Sequence, residues 1–380
     1  MELQEVLFRS RSGWSAPLPN YLDSDRTVVL AFADSSFQGH PAAFEDLRAA
    51  FPLARVLGCS TAGAIRHDRV LDEGVVAVVA RFETIALRTV TVPTGPGAES
   101  FAAGAELSRR LAGPDLRAMV VLSDGLDVNG SELVRGVNSV TPPHVMVTGG
   151  LAADGERFQR TWVVSDWKPA PRSVVALGLY GERLVSTHGS RGGWDIFGVE
   201  RRVTRAKGNV LYEGDGKPAL KLYKEYLGDR ADGLPSTALL FPLSMRTDDA
   251  AEKQLVRTVL AVDERAQSLT FAGDIPDGSR VQLMHANLDR LIQGASDAAK
   301  SARSRLDVEG PSLSLAISCV GRRLVLGERT EEELEATLES LPAGTRQVGF
   351  YSYGELSPFA SGSCDLHNQT MTLSVFAERT

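Results

Sequence analysis

Two stretches of the chain carry the same order of apolar and polar positions. In the first, an apolar run at 28–33 ends at Asp34, a periodic segment covers 41–51, and 55–57 leads into GCSTAG at 58–63. A short apolar run closed by a polar residue marks a buried strand, whereas apolar positions three and four apart mark one helix face. Residues 74–82 and 84–92 then read as a strand pair. In the second, 118–123 ends at Asp124, 131–137 is helical, and 144–147 precedes GGLAADG at 149–155. Strands follow at 161–165, 173–180 and 183–188. Asp34 lies 24 residues before Gly58 and Asp124 lies 25 before Gly149, so the loops recur along with the elements. The periodic segment 98–111 bridges the copies as a helix.

The register changes at GGWDIFG (192–198), and EGDGKP (213–218) adds further chain breakers. After these come a helix at 219–227, a β-rich block at 238–283 and a long helix at 286–305. A strand at 313–318, an acidic helix at 331–341 and strands at 347–353 and 371–376 complete the pattern, with surface loops at 231–234 and 247–252. The alternation predicts an α/β protein, mixed α+β in its C-terminal half. An internally duplicated N-terminal α/β unit (1–215, copies at 27–92 and 118–188) is followed by a second α/β domain (216–380).

Length supports two domains, because single cores rarely grow past roughly 250–300 residues. With 43 % apolar and 23 % charged residues the chain has a globular composition. A net charge of −7 argues against nucleic acid as the main partner, since that calls for a concentrated basic face. No apolar run reaches the ~18–20 residues that span a bilayer, and the opening MELQEVLFRSRSGWS lacks the apolar core of a secretion signal. Three cysteines without a CxxC pair form no disulfide framework. The expected location is the cytoplasm.

Candidate chemistry concentrates at the strand ends, where ligands collect in open α/β sheets. ADSS (33–36), GCSTAG, SDGLD (123–127) and GGLAADG occupy that position. Their glycines let backbone N–H groups approach an anion, with Ser60 and Thr61 adding hydroxyls. The alternative is tight turns in which Asp34 and Asp124 act as N-caps. A nucleophile elbow needs GxSxG, and Ala62 stands where the second glycine belongs. Cys59 would need His367 or His188 beside it to act as a nucleophile, and a cysteine at a strand end usually packs as a small hydrophobe. Cys364 and His367 have C-x-x-H spacing without further metal ligands, and neither a P-loop nor GxGxxG is present. A single axial histidine for non-covalent haem leaves no pattern to read.

SCVGRRLVLG (318–327) places Arg322 and Arg323 directly after a buried strand, where a guanidinium fork suits a carboxylate or phosphate. Pairing with a structural acid, Glu355 or one of Glu331–Glu333, is the alternative. GFYSYGELSPFASGSCDLHNQTM (349–371) gathers aromatic, acidic, thiol, imidazole and amide side chains before an apolar terminal strand. It reads as the lining of a site or as a polar network that holds the terminus.

GCSTAG, GGLAADG, GNVLYEGDGKPALKLYKEYLG (208–228), SCVGRR, GFYSYGELSP and CDLHNQTM, in this order, resemble the FIST family of sensory domains. The resemblance runs from about Thr27 to Phe376, with Ala64 and Ala153 departing from the family's usual residues. It implies a ligand sensor without catalytic residues, found in bacterial and some eukaryotic signalling proteins. The ligand would be amino-acid-like, and the signal would pass to a separate histidine kinase or diguanylate cyclase. Haem b, reporting nitric oxide to a histidine kinase, is the alternative cofactor; otherwise neither cofactor nor metal is expected. The reading places ligand contacts at Cys59, Ser60, Thr61, Gly149, Gly150, Leu151, Cys319, Arg322, Tyr353, Glu355, His367 and Asn368. In it, backbone N–H groups of the two N-terminal loops hold the ligand's acid and Arg322 supplies a counter-charge.

Overall fold

The computed structural model describes residues 1–246, 255–308, 310–358 and 363–379, so the loop expected at 247–252 lies outside the described residues. Its central finding is a third copy of the repeated unit. In the first unit Thr27–Asp34 runs parallel to Arg55–Thr61 and antiparallel to Val75–Arg81, which pairs antiparallel with Glu2–Arg9. In the second, Leu116–Ser123 runs parallel to Met146–Leu151 and antiparallel to Ser173–Tyr180, which pairs with Ala86–Pro93. In the third, Leu313–Cys319 runs parallel to Arg346–Ser352 and antiparallel to Met371–Glu378, which pairs with Leu184–Arg191. A helix joins each parallel pair: Ala42–Ala50, Gly130–Asn138 and, in the third, Val320–Leu326 with Thr330–Ser340.

The same glycine recurs at one register position. Gly58 faces Ala31, Gly149 faces Val121 and Gly349 faces Ala316. In each case an added Cβ would run into the facing backbone carbonyl. Only glycine permits that approach, which explains why the repeat keeps it while other positions drift.

Two pairings differ from the sequence expectation. Val75–Arg81 and Ala86–Pro93 lie in different sheets, because the chain crosses at Phe82 and Ile85, both buried in the central core. Leu184–Arg191, expected as the last strand of the second copy, belongs to the third sheet through its eight-residue register with the terminal strand. The third unit is hard to see in sequence because residues 192–287 separate that strand from the helix Leu288–Arg303. This insertion forms its own sheet around Arg280–Ala286 and Arg201–Lys207, with the helix Ala219–Leu227 and a separate core of Val203, Leu211, Leu220, Tyr223 and Phe271.

The units exchange hairpins. Ala64–Arg66, following the first unit's parallel pair, joins the third sheet; Val163–Ser165 from the second unit joins the first sheet; Gly354–Pro358 from the third joins the second sheet. The exchange closes a ring. Its centre is one apolar cluster to which all three sheets contribute, including Phe32, Leu57, Val120, Leu177, Ile317 and Phe350. Phe32 and Phe350 stack there with centroids 5.0 Å apart. Helices cover the outer faces. Gly104 and Gly136 let Ala98–Leu111 and Gly130–Asn138 pack backbone to backbone, since a Cβ on either would meet the other helix's main chain.

Candidate functional site

The strand-end loops meet at the centre of the ring, and their backbone groups are consumed there. Ser60 N–H donates to Trp162 O (2.9 Å), Ala62 N–H to Tyr351 O (2.9 Å), Ala153 N–H to Ser60 O (3.0 Å) and Tyr353 N–H to Leu151 O (3.2 Å). Gly149, Gly150 and Leu151 pair with Leu356, Glu355 and Gly354. Ser60 Oγ accepts from Trp162 N–H and Thr61 Oγ1 from Gly63 N–H. The N–H groups expected to cradle a ligand therefore hold the exchanged hairpins, because each crossing strand needs its ladder satisfied. The aspartates act as caps: Asp34 accepts from Ser36 N–H, and Asp124 from the N–H groups of Leu126, Asp127 and Arg172.

Cys59, Cys319 and Cys364 are buried, and burial pushes all three thiols up in pKa. They stay protonated at neutral pH, which is poor for a nucleophile or metal ligand. Among the described residues no three His, Cys, Asp or Glu side chains are grouped to hold a metal ion.

Arg322 is fully buried and paired with Glu333 through Nε (3.0 Å) and Nη2 (2.7 Å). It also donates to Gly192 O and Leu291 O. Glu333 accepts further bonds from Ser318 Oγ (2.9 Å) and Tyr351 OH (2.7 Å). This is the structural-acid pairing, so Arg322 pins the insertion's junction and the helix Leu288–Arg303 to the third sheet. Arg323 instead bonds Ala62 O and pairs with Asp72 (2.6 Å).

Tyr353 donates to Asp154 and to Gly155 O (2.7 Å) and stacks on Phe158 at 4.8 Å. Glu355 accepts from Ser352 Oγ (2.6 Å), Thr370 N–H (3.2 Å) and Thr370 Oγ1 (3.0 Å). Burial pushes its carboxyl up to about 8, against the pull of those donors.

Of the twelve expected contacts, His367 and Asn368 open onto a cavity. This cleft, about 240 Å³, lies between the end of Leu184–Arg191, the end of Leu288–Arg303, the hairpin formed by Gly354–Pro358 with Cys364–His367, and Val256 of the insertion. Its polar wall is His188, Arg191, Arg305, His367, Asn368 and Thr370. Glu355 sits directly behind Thr370. Among the described residues neither Arg191 nor Arg305 pairs with an acid. Asn368 Nδ2 donates to Tyr353 O (3.3 Å), while its buried Oδ1 has no partner among the described residues. Burial, aided by the Arg305 charge, lowers the His188 imidazole to about 4. The cleft is thus electropositive and holds one unspent buried acceptor.

His188, Arg191, Arg305 and Thr370 were not among the expected contacts. HGSRGG at 188–193, with its close-set glycines, was the available signal for the first two.

A FIST N domain matches residues 27–217 and a FIST C domain matches 219–358. The chain belongs to the FIST family. FIST domains are signal-transduction sensory domains, not catalytic ones. The boundary between the two FIST parts falls at Lys217–Pro218 inside the insertion, so the third unit draws strands from both. The cleft does the same, with His188 and Arg191 from the FIST N match and Arg305 from the FIST C match. An uncharacterized protein of Methanocaldococcus jannaschii is 26 % identical over 258 residues, 60 % of this chain and 46 % of that protein. The chain therefore spans about half the length of that relative. An uncharacterized Mycobacterium tuberculosis protein is 27 % identical over 275 residues, 68 % of each chain. A crystal structure of cyanuric acid hydrolase from A. caulinodans aligns over 100 % of this chain and 99 % of that one, at 11 % identity and a TM-score of 0.38, too loose a likeness to bear on function. No described helix is long and apolar enough to cross a membrane.

Proposed function

We propose that this FIST protein senses an amino acid or similar small carboxylate and passes the signal to a separate kinase or cyclase. The observation that carries the reading is a pair of arginines, Arg191 and Arg305, with no acid partner among the described residues, facing a cleft with the buried Asn368 Oδ1, which has no partner among them either. Two guanidinium groups suit a carboxylate. Asn368 Oδ1 accepts from an ammonium group, and Thr370 and His367 shape the remainder. Because the insertion, the hairpin at the ring's edge and the long helix all border the cleft, occupancy bears on how these three parts pack. That is the form a ligand signal takes in a protein whose output lies on a partner.

Titration calorimetry against a panel of amino acids and small organic acids tests the reading. Arg305→Gln should weaken the selected ligand by ~1.5–3 kcal/mol, the value of a hydrogen bond to a charged group. The haem alternative rests on His188 or His367 as axial ligand. A polar cleft of about 240 Å³ favours the smaller, charged molecule. A Soret band on reconstitution, lost in His188→Ala or His367→Ala, would decide for haem.

A further inference from the structure

Ser190 lines the electropositive cleft and ends a row of hydroxyls that begins at the buried Glu355. Glu355 Oε2 is 3.0 Å from Thr370 Oγ1, Thr370 Oγ1 is 3.3 Å from Thr372 Oγ1, and Thr372 Oγ1 is 2.9 Å from Ser190 Oγ. The sheet sets this spacing. Ser190 and Thr372 face each other in the register of Leu184–Arg191 with Met371–Glu378, and Thr370 stands two residues before Thr372. Both threonines are buried, whereas Ser190 is half-buried at the cleft wall.

Hydrogen accounting fixes which way this row runs. Burial keeps the Glu355 carboxyl neutral up to about pH 8, so one of its oxygens carries a hydrogen. Ser352 Oγ, 2.6 Å from Oε1, has no other partner among the described residues, so its own hydrogen goes to Oε1. The acid hydrogen therefore sits on Oε2 and is donated to Thr370 Oγ1, which has Thr372 as a second partner and passes its hydrogen on. Each hydroxyl donates to the next, and Ser190 is left with a hydrogen to offer the cleft. When Glu355 ionises, Oε2 takes the Thr370 hydrogen, the row reverses, and Ser190 shows the cleft only lone pairs. The other groups facing Glu355 are Arg322, Cys319 and, across the hairpin, His367. Arg322 is committed to Glu333, burial keeps the Cys319 thiol protonated, and His367 Nε2 bonds Ser357 O (3.2 Å).

We propose that Glu355 is a positioning residue for the cleft: its hydrogen, relayed through Thr370 and Thr372, makes Ser190 a donor to a bound carboxylate, and ionisation of Glu355 withdraws that donor. This role rests on the cleft being a carboxylate site. Above about pH 8 a carboxylate binds with uptake of a proton at Glu355, so its affinity falls as the pH rises through that range. His188 responds at the other end, between pH 6.5 and 4, and the two effects separate by pH alone.

Succinate is the probe, because it stays a dianion over the range used and has no ammonium group that would itself titrate. Calorimetry on the whole protein should show its affinity falling about tenfold between about pH 7 and about pH 9.5, the worth of one hydrogen bond to a charged group. At the higher pH the binding heat should depend on the buffer, reporting proton uptake. Thr372→Val removes the central hydroxyl without altering the cleft lining, and Glu355→Gln removes the titrating group; each should bring the ratio of the two affinities close to one. Ser190→Ala, at a half-buried position, should do the same if either buried variant fails to fold. A tenfold ratio that survives in Thr372→Val and Ser190→Ala overturns the relay, as does a ratio near one in wild type, and the carboxylate site stands in both cases. Absence of succinate binding at about pH 7 also overturns the relay, since two arginines and a donor serine hold a dicarboxylate; the amino-acid panel then decides the sensory reading separately.

Discussion

Replacing the recurrent glycine with alanine probes the three-unit architecture at its tightest point. A Cβ on Gly349 would lie 2.6 Å from the carbonyl carbon of Ala316 and nearer still to its oxygen. On Gly58 it would lie 3.0 Å from the Ala31 carbonyl carbon and 3.1 Å from Val164 Cγ2, again with the oxygen closest. Because the obstacle is a neighbouring strand's backbone, relief requires the parallel pair to separate locally. Overpacking in a core costs about 1–3 kcal/mol, and a backbone obstacle puts these two at the upper end. Gly39→Ala is the control: nothing lies within 4 Å of its added Cβ, and the lost unfolded-state freedom should leave stability unchanged or raised by about 0.4–1 kcal/mol. Urea unfolding followed by circular dichroism gives the comparison. If Gly58→Ala and Gly349→Ala both unfold within about 0.5 kcal/mol of wild type, the claim that the facing backbone leaves room only for glycine at this position is refuted.

Glu333→Gln strands the buried Arg322 charge and should cost about 3–5 kcal/mol, much of it recovered in Arg322→Met/Glu333→Leu; urea midpoints of wild type and the two variants check this. Glu355 keeps its proton to about pH 8, so the folded state holds a proton that the unfolded chain releases above the ordinary value of 4.5. Its contribution is present below pH 4.5 and lost as the pH rises to 8, by on the order of 5 kcal/mol, and Glu355→Gln should flatten that part of the stability-versus-pH curve. His188 runs the other way: with its folded pKa near 4, stability falls as pH drops from 6.5 to 4, and a bound carboxylate should raise that pKa. Ligand affinity should therefore increase towards pH 5, and calorimetry across that range checks it. Iodoacetamide at neutral pH should leave the three buried thiols unmodified until the protein is unfolded.

Much of the fold was legible. The helix expected at 98–111 is Ala98–Leu111 and that at 219–227 is Ala219–Leu227, because each keeps an unbroken apolar face and ends at chain breakers. The matched glycines disclosed two units of the three. The third escaped because an insertion with its own core divides it, and local patterning does not report which distant strands pair. The strand-end loops resemble ligand cradles in sequence for the same reason: local pattern does not show that exchanged hairpins take up their N–H groups. Arg322 resembled a recognition arginine because its partner Glu333 lies one helix further on, among other acids. The density of polar residues before an apolar strand marks the segment that brings His367 and Asn368 to the cleft wall. Arg191 and Arg305 were not, since each ends an ordinary amphipathic element and acquires meaning only when the third sheet brings them together.

The most direct test of the sensory reading is calorimetric titration of the amino-acid and organic-acid panel into wild type and the Arg191→Gln/Arg305→Gln double variant. The account predicts a selective ligand for wild type and its loss in the double variant, with the unliganded melting temperature unchanged because neither arginine pairs with an acid among the described residues. A ligand that binds the double variant as tightly as wild type, or a panel with no binder, would contradict it.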